Sequence, residues 1–473
     1  MHRLPPSRFH VASSIRKATS ILGHVSHTPL QARFSSQIRN TPTVLPPLSK
    51  LPLKVLLRSL LIATISSNRL LLGPSLVVLR FLNEPHRFWG FDVQRNPLLH
   101  SLMKKTMYNH FCAGEDRAEV TSTIGEMKRM GFRGAILTYA REIVVDNQTE
   151  EETGSGLKES ASESEIENDS SIEAWRDGVL TTVDMLGEGD ILALKLTGAG
   201  AAVSDTLSSG KPLPRQMAEA LAEVCSRAVE RQVRIFVDAE QVKVQPGIDA
   251  VALDLMRRYN IDGKGAVVYN TYQVYLKSAP DTLAEHMKTA NKEGFVLGVK
   301  LVRGAYISSE PRHLINDTKE DTDKSYDSVA HGLLSQSYRD FGAAGGVTFP
   351  GLELFLATHN KHSVLAANEL QQSRIKKAQP LTKIQYGQLL GMADEVSFSL
   401  LQLVDSSVKG EETPRMAPIE VYKCLSWGSL EDCLSYLLRR AVENRDAVSR
   451  TKSEFTALKA EVWRRAKNGV SVR

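Results

Sequence analysis

From residue 134 onward, short apolar runs alternate with longer stretches in which apolar residues recur three and four positions apart. The short runs predict strands, and stretches such as Gln216–Arg231 and Asp281–Glu293 predict helices. The predicted strands are Gly134–Ile143, Asp190–Thr197, Val233–Ala239, Gly265–Tyr272, Phe295–Val302, Leu352–Thr358, Lys383–Leu389 and Ile419–Leu425. Eight strands, each followed by a helix, predict an α/β fold and favour a (β/α)8 TIM-type barrel. A doubly wound open sheet would show the same alternation, so periodicity alone does not exclude it.

The chain divides into segments of different composition. Residues 1–45 are predicted to be a disordered leader, 46–130 an N-terminal helical segment, 131–450 the barrel, and 451–473 a C-terminal helical tail. Residues 146–172 are acidic, rich in Ser and Gly, and nearly free of large apolar side chains. Such a composition cannot bury enough surface to order itself, so this segment is predicted to be a solvated insertion within the barrel.

Charge is distributed unevenly along the chain. The net charge is +5, but no acidic residue precedes Glu84, and serines recur among the first arginines. An acid-free leader rich in Arg and Ser is typical of a mitochondrial transit peptide, the alternative being a disordered basic tail. The four cysteines form no CxxC pair, which fits a reduced compartment such as the mitochondrial matrix. No basic patch outside the leader indicates a nucleic-acid partner.

The stretch from Leu51 to Leu79 is apolar but is interrupted by charges. Lys54, Arg58 and Arg69 leave uncharged runs of at most ten residues. A membrane-spanning helix needs about 20 apolar residues. The pattern therefore favours a packed helix ahead of the barrel, with attachment to a membrane surface as the alternative.

Polar residues cluster at the carboxyl ends of the predicted strands, where a barrel of this kind carries its functional site. They are Glu142, Lys195, Asp238, Glu240, Asn270, Lys300, Arg303, Thr358, His359 and Lys423. A single polar residue at a strand end needs no explanation beyond solvent. A ring of them predicts a site for a polar, anionic ligand.

Two shorter signals have competing interpretations. The run Gly198–Val203 resembles a dinucleotide fingerprint, but it lacks the third glycine, and Ser204–Pro214 does not predict a helix that would hold a pyrophosphate. Lys195 lies between apolar neighbours in a strand. It could form a Schiff base, as in a flavin-free aldolase-like barrel, or bind substrate or a carboxylate as an ammonium group; the other charges favour the second reading. No HExxH motif or Cys/His cluster indicates a metal.

The last predicted barrel helix carries a dense polar motif. Tyr436, Arg439 and Arg440 are spaced i, i+3, i+4 and therefore share one helix face. Two adjacent guanidinium groups can grip one carboxylate, and Tyr436 can supply a flat wall. Glu443 can hold an arginine or accept a hydrogen bond from a cofactor. For an isolated arginine pair, a solvated salt-bridged face would be the simpler interpretation.

The sequence resembles the proline dehydrogenase family from about residue 105 to 450, with features of fungal members. The family signature Tyr-x-x-Arg-Arg-x-x-Glu-Asn matches Tyr436–Asn444. Further family segments occur in order at Leu194–Thr197, Val237–Glu240, Tyr269–Gln273, Lys300–Tyr306, Ala357–Asn360 and Gln388–Met392. Several segments in order make the resemblance highly specific. It implies a distorted barrel with FAD bound non-covalently at the strands' carboxyl ends.

The resemblance also implies roles for individual residues. Arg439 and Arg440 would bind the carboxylate of L-proline with help from Lys195, while Tyr306, Tyr436 and Leu389 would line the ring pocket. Asp238 would order the site. The residues implied to contact FAD are Asn270, Lys300, Gly304, Thr358, His359 and Glu443.

The activity implied is oxidation of L-proline to Δ1-pyrroline-5-carboxylate, the first step of proline catabolism to glutamate. Electrons would pass from FAD to ubiquinone, which implies contact with the inner mitochondrial membrane. An inactive, flavin-free barrel with a regulatory role and a membrane-surface scaffold are the alternatives from other classes.

One position departs from the family pattern. Four residues before Gly428 the family usually has tyrosine, whereas this chain has Cys424. Hydroxyproline-oxidising relatives carry a small serine there. The exchange leaves room for a ring hydroxyl, so trans-4-hydroxy-L-proline is the alternative substrate.

Overall fold

The structure is a computed structural model, which describes residues 45–84, 88–139, 169–261, 263, 265–343, 345–408, 419–446 and 448–469. The predicted leader up to residue 44, the strand end at Glu142 and most of the predicted insertion lie outside these residues. The described residues from Pro46 onward form one compact unit.

Eight parallel strands close into a barrel. They are β1 Gly134–Tyr139, β2 Ile191–Leu194, β3 Arg234–Val237, β4 Val268–Gln273, β5 Leu297–Val302, β6 Leu352–Ala357, β7 Lys383–Leu389 and β8 Glu420–Trp427. Each strand pairs with the next along the chain, and β8 pairs with β1 to close the ring. A two-stranded hairpin, Ser337–Tyr338 with Phe341–Gly342, lies outside the barrel sheet. The predicted (β/α)8 barrel is confirmed, and the open sheet is excluded.

Helices follow every strand of the barrel and also precede it. Ahead of β1 are α1 Leu53–Ser67, α2 Arg69–Asn83, α3 Pro97–Met103 and α4 Arg117–Arg129. The barrel helices are α5 Ser170–Met185, α6 Ala201–Ser209, α7 Arg215–Glu230, α8 Gln245–Tyr259, α9 Ala279–Glu293, α10 Lys319–Ser335, α11 Lys361–Lys376, α12 Asp394–Val408 and α13 Leu434–Asp446. The chain continues as α14 Val448–Asn468.

Alternation along the strands separates two apolar layers. Side chains that point inward fill the barrel, and Phe236 on β3 meets Phe355 on β6 edge to face, with ring centroids 4.8 Å apart. Side chains that point outward form the main core against the helices. Parallel strands covered on both faces need this near-continuous apolar character. The aromatic layer inside the barrel separates its two ends.

Two expectations about the chain before α7 need correction. The acidic insertion, predicted to run to residue 172, ends earlier, because α5 begins at Ser170. Asp169 caps this helix by accepting a hydrogen bond from Ser171 N, and Ile172 is buried. The segment after Gly200 was not expected to open a helix, yet α6 begins at Ala201 with Gly200 at φ +114° as its N-cap. A Cβ at residue 200 would lie 2.9 Å from Ser171, which together with the positive φ explains why this position is glycine.

The N-terminal helices pack against the end of the chain. Arg465 on α14 donates hydrogen bonds to the carbonyl oxygens of Leu48, Ser49 and Leu51 at 2.8–3.1 Å. Within the described residues, no single helix is long and apolar enough to cross a membrane; α1 and α2 meet that criterion only as a pair bent by 100°.

Candidate active site

Charged side chains stand directly above the aromatic layer at the carboxyl end of the barrel. Lys300 on β5 donates a hydrogen bond to Asp238, just after β3, at 2.6 Å. The Lys300 ammonium also lies 5.2 Å from the centre of the Phe236 ring. Both charged side chains are largely buried, so the pair is fixed in place rather than solvated.

Lys195 and Tyr306 form a second pair at the same end. Lys195 follows β2, and its ammonium lies 3.3 Å from the hydroxyl of Tyr306, in the loop after β5. The backbone carbonyl of Lys195 accepts a hydrogen bond from the Trp175 indole at 2.9 Å. The lysine backbone is therefore anchored by α5 while its side chain reaches the site.

Helix α13 brings the family motif to the barrel. The Arg440 guanidinium stacks on the Tyr436 ring, 4.9 Å from its centre, and pairs with Glu443 at 2.7 Å. Tyr436 and Arg440 are buried, whereas Glu443 is 42% exposed. Arg439 is half-buried on the same helix. The spacing read from the sequence thus places Tyr436 and Arg440 in direct contact, with Glu443 at the edge.

Cys424 is the point where the strand ends and α13 converge. It pairs in register with Leu389 on β7, and Leu390 N donates to its carbonyl. Burial raises the pKa of the Cys424 thiol to about 11, and its electrostatic neighbours come from both groups: Lys300, Asp238, Arg440 and Lys195. Burial likewise raises the pKa of Tyr436, which is also influenced by Arg440 and Cys424. Lys195, Asp238 and Arg440, three of the residues implied to serve the substrate, therefore lie close enough to Cys424 to act on it electrostatically.

We refer to Lys195, Asp238, Lys300, Tyr306, Leu389, Cys424, Tyr436 and Arg440 as the mouth group. Its cations outnumber its one carboxylate, which suits an anionic ligand. Two of its buried polar atoms, the Tyr436 hydroxyl and the Arg440 Nε, have no hydrogen-bond partner among the described residues. Buried polar groups are ordinarily satisfied, so these atoms mark a place where a ligand would complete the hydrogen bonds.

The rim beside the mouth group carries three residues implied to contact a cofactor. Gly304 is exposed after β5, and a Cβ there would lie 2.3 Å from the Tyr275 ring, so only glycine fits. His359 Nε2 accepts a hydrogen bond from Leu389 N at 3.1 Å, which requires Nδ1 to carry any ring proton of the neutral form. Thr358 Oγ1 accepts a hydrogen bond from Arg303 at 2.7 Å.

Asn270, which the resemblance also implies to lie near the cofactor, has its side chain on the outer face of β4. Its side chain points from β4 toward the helix layer, where Nδ2 donates to Asp249 on α8 at 2.8 Å. Alternation explains the outward orientation. Tyr269 lies inside the barrel, so the next residue along the strand must point outward.

Two buried residues support the mouth group without having been assigned a role from the sequence. Glu240 accepts hydrogen bonds from the backbone N–H and hydroxyl of Thr197, which follows Lys195. Burial raises the pKa of Glu240, although Lys195 lowers it. Gln273 links the carbonyl of Glu240 to the amide of Ala305, at 2.9 and 3.1 Å. Gln273 lies four residues after Tyr269 and therefore points to the same inner face of the strand, which is the feature of the sequence that could have identified it.

Arg303 was noted at a strand end but given no role. It pairs with Asp323 on α10 at 2.6 Å, donates to Thr358 and Ser363, and stacks 4.2 Å from the centre of the Tyr326 ring. These contacts tie the ends of β5 and β6 to the outer helices. Arg303 therefore braces the rim on which Gly304 and Thr358 lie.

The chain is similar in sequence to known proteins. The family model for proline dehydrogenase matches residues 120–453. A fission yeast (Schizosaccharomyces pombe) protein named probable proline dehydrogenase, mitochondrial, is 28% identical over 410 residues, covering 78% of this chain and 81% of that protein. Mouse (Mus musculus) hydroxyproline dehydrogenase is 30% identical over 420 residues, covering 80% and 85%.

A solved structure shows the same fold. Proline utilization A from Bdellovibrio bacteriovorus superposes with a TM-score of 0.59 at 16% identity, over 83% of this chain. This chain spans only 39% of that larger protein. The barrel, the mouth group and the family match together place the protein among oxidoreductases: the chain belongs to the proline dehydrogenase family.

Proposed function

We propose that the chain is an FAD-dependent proline dehydrogenase that oxidises L-proline to Δ1-pyrroline-5-carboxylate. The observation that carries the proposal is the convergence of Arg440, Tyr436, Lys195 and the Lys300–Asp238 pair around Cys424. Cationic groups beside an aromatic wall suit a small ring that bears a carboxylate. The family and its relatives' names support the same activity.

The residues present fit a flavin cofactor. The unpartnered Tyr436 hydroxyl and Arg440 Nε support the presence of a ligand here, and Gly304 is exposed at the rim. We assign FAD contacts to Lys300, Gly304, Thr358, His359 and Glu443. When bound, the flavin supplies the two-electron oxidation chemistry, which side chains cannot perform.

The chain's own residues bind and orient the substrate. Arg440 and its neighbour Arg439 hold the carboxylate, with Lys195 as a further cation. Tyr306 and Tyr436 pack on the ring faces, and Leu389 closes the apolar side. The Lys300–Asp238 ion pair keeps two charges fixed beside the reacting centre, so little reorganisation is needed when substrate binds.

The proposal also covers the electron acceptor and the location of the protein in the cell. We infer that electrons pass to ubiquinone and that the protein works in the mitochondrial matrix beside the inner membrane. The acid-free Arg/Ser leader and the relatives named mitochondrial support the compartment. Ubiquinone as acceptor rests on the family resemblance.

A second substrate is favoured by a specific observation. Cys424 lies within the mouth group, where a larger tyrosine is usual in the family. A relative named hydroxyproline dehydrogenase aligns over 85% of its length. We therefore expect measurable oxidation of trans-4-hydroxy-L-proline alongside L-proline.

Turnover of the purified chain with a soluble dye acceptor tests these assignments. We expect L-proline to be oxidised faster than trans-4-hydroxy-L-proline, with FAD released on denaturation. A short-chain ubiquinone analogue should replace the dye. A protein without flavin and without turnover of either substrate would instead support the inactive barrel, and a borohydride-trapped adduct on Lys195 would support the Schiff-base alternative.

A further inference from the structure

The outer face of α2 is apolar, and no described part of the chain covers it. Its buried side carries Leu72, Leu76, Leu79 and Leu82, which recur three and four positions apart. The opposite side exposes further large apolar side chains: Leu70 at 84%, Leu71 at 44%, Val77 at 64%, Val78 at 54% and Phe81 at 43%. A helix that is apolar on all sides ordinarily needs to be covered on all sides.

The exposed apolar surface continues beyond α2. Leu53, Leu57 and Leu61 form an exposed stripe on α1, and Phe88, Phe91, Leu98 and Leu102 are exposed between α2 and the end of α3. Among the described residues, thirteen of the nineteen exposed large apolar side chains lie between residues 45 and 102. This concentration distinguishes the N-terminal helices from the rest of the described chain, where the six other such side chains are far apart in sequence.

Charge identifies the class of partner. Residues 45–83 carry five cationic side chains and no acidic one, and Lys54, Arg69 and Arg80 are exposed beside the apolar surface. A second copy of this face would bring like charges together, and residues 1–44 are equally free of acidic side chains. A bilayer with anionic headgroups accepts both the apolar side chains and the flanking cations.

We propose that the outer face of α2, with the exposed apolar side chains of α1 and of residues 88–102, docks onto an anionic phospholipid bilayer. The helix lies in the plane of the interface, because its other side is already packed against the protein. Lys54, Arg69 and Arg80 contact the headgroups. Docking itself rests only on this surface, whereas its value for delivering electrons to a membrane-dissolved quinone rests on the proposed function.

The docking face is one helix away from the substrate-binding helix. The buried leucines of α2 share a cluster with Leu430, Leu434 and Leu437, at the start of α13 and just before it. The Ser435 hydroxyl, on α13, donates to the Asn83 side chain, at the end of α2, at 3.0 Å. Since α13 carries Tyr436 and Arg440, the bilayer would lie roughly two helix diameters from the mouth group.

Co-sedimentation of the full-length chain with lipid vesicles tests the proposal. Phosphatidylcholine vesicles containing phosphatidylglycerol should bind the wild type, and phosphatidylcholine alone should bind it more weakly. Leu70→Gln/Val77→Gln should weaken binding to the anionic vesicles by roughly tenfold or more, because two apolar side chains no longer enter the interface. The matched control Val229→Gln/Ile261→Gln, which alters exposed apolar residues elsewhere, should bind like wild type.

A charge variant separates the electrostatic contribution to vesicle binding from the apolar contribution. Arg69→Gln/Arg80→Gln should reduce binding to anionic vesicles and leave the weaker binding to phosphatidylcholine alone unchanged. Equal binding of wild type and Leu70→Gln/Val77→Gln would overturn the proposal. So would a wild-type dimer that this apolar variant converts to a monomer, because the face would then be covered by a second copy.

Dye-linked turnover of proline distinguishes this inference from the proposed function. All three double variants should turn over proline with the soluble dye as wild type does, because none alters the mouth group. A wild type that binds vesicles but does not oxidise proline would contradict the proposed function and leave the docking surface intact. Loss of dye-linked turnover in the apolar variant alone would contradict the docking assignment, by showing that these side chains serve the active site.

Discussion

Both ends of the barrel carry buried polar side chains. In the set at the amino end every buried polar atom has a hydrogen-bond partner within the described part of the protein, whereas at the carboxyl end some do not. At the amino end, Arg234 donates to Gln385 and to the Tyr422 hydroxyl, and the Tyr269 hydroxyl donates to Glu353 at 2.6 Å. With Glu420, which accepts from Gln385, these residues form what we call the floor network. None of its members has a buried polar side-chain atom left without a partner.

The mouth group at the other end is built from similar residue types with a different result. Its Tyr436 hydroxyl and Arg440 Nε are buried and lack partners among the described residues, and its cations exceed its carboxylates. The floor network stabilises the closed barrel, whereas the mouth group holds binding capacity for a ligand. Charge and burial alone therefore do not identify a site. Buried atoms without partners also occur elsewhere among the described residues, for example on Ser59, Gln371 and Tyr386, so the mouth group stands out by combining such atoms with an excess of cations.

The largest effect is expected from breaking the floor network. Arg234→Met would remove the buried cation that donates to the Tyr422 hydroxyl and to the Gln385 side-chain oxygen beside Glu420, at a cost of about 3–5 kcal/mol of unfolding free energy. Urea denaturation measures the loss, and Arg215→Met, at an exposed arginine, is the control and should change stability by about 0.5 kcal/mol at most. The KM for proline of the folded fraction should not change. A raised KM with full stability would contradict the structural role.

Acidification should lower the free energy of unfolding through protonation of the buried His110. Burial lowers the pKa of His110 to about 4, with Arg58 acting in the same direction, and its ring lies under Gly391 after β7. The unfolded chain, with an ordinary histidine pKa near 6.5, therefore binds a proton that the folded chain excludes. Stability should be full above pH 6.5 and fall by roughly 3 kcal/mol as the pH drops to about 4.

The variant His110→Gln isolates this contribution. It should be less stable than wild type at neutral pH but should lose less stability between pH 6.5 and 4. His331→Gln, at an exposed position, should retain the wild-type slope. Identical slopes for wild type and His110→Gln, measured by urea denaturation at each pH, would show that His110 titrates normally.

Removing a mouth cation should affect binding rather than folding. Arg440→Met removes a charge-assisted contact to the substrate carboxylate. The lost binding free energy of about 2–3 kcal/mol should raise the KM for proline roughly 30- to 150-fold. Arg439→Met should act in the same direction, with FAD retained in both variants. Arg445→Met, exposed near the end of α13, is the control. Unchanged KM in both Arg439→Met and Arg440→Met would remove the carboxylate assignment.

The smallest effect concerns substrate choice at Cys424. Cys424→Tyr should fill the space left by the small thiol and disfavour a ring hydroxyl by about 1–3 kcal/mol. The ratio of kcat/KM for L-proline over trans-4-hydroxy-L-proline should rise in the variant. Cys424→Ser, which keeps the side chain small, should leave the ratio near that of wild type. If wild type already rejects hydroxyproline as strongly as Cys424→Tyr does, another side chain fills the pocket.

The positions of strands and the neighbours on a helix face could be predicted from the sequence, whereas the inward or outward orientation of residues along a strand could not. Each of the eight predicted strands overlaps an observed one, and Lys383–Leu389 matches in full, because buried parallel strands give unbroken apolar runs. The spacing of Tyr436 and Arg440 predicted their contact, since helical periodicity fixes neighbours locally. The outward orientation of Asn270 was not predictable because β4 is buried on both faces and carries polar residues on each, so its pattern does not reveal which residues point inward.

Long-range convergence was also beyond the sequence pattern alone. Glu240 and Thr197 belong to different strand ends, and only closure of the barrel brings them together. The helix at Ala201 was missed because its start depends on Gly200, whose positive φ fits against Ser171 on another helix. Contacts of this kind depend on tertiary packing, which local propensity does not encode.

Anaerobic titration of the purified chain with L-proline tests the central claim most directly, namely that the mouth group is a proline-oxidising flavin site. We predict that the protein contains FAD, that L-proline bleaches its flavin absorbance, and that Δ1-pyrroline-5-carboxylate appears in equal amount. Arg440→Met should keep its flavin but require far more proline for the same bleaching. Flavin that L-proline does not reduce in the wild type, or a folded chain that neither contains nor binds FAD, would contradict the account.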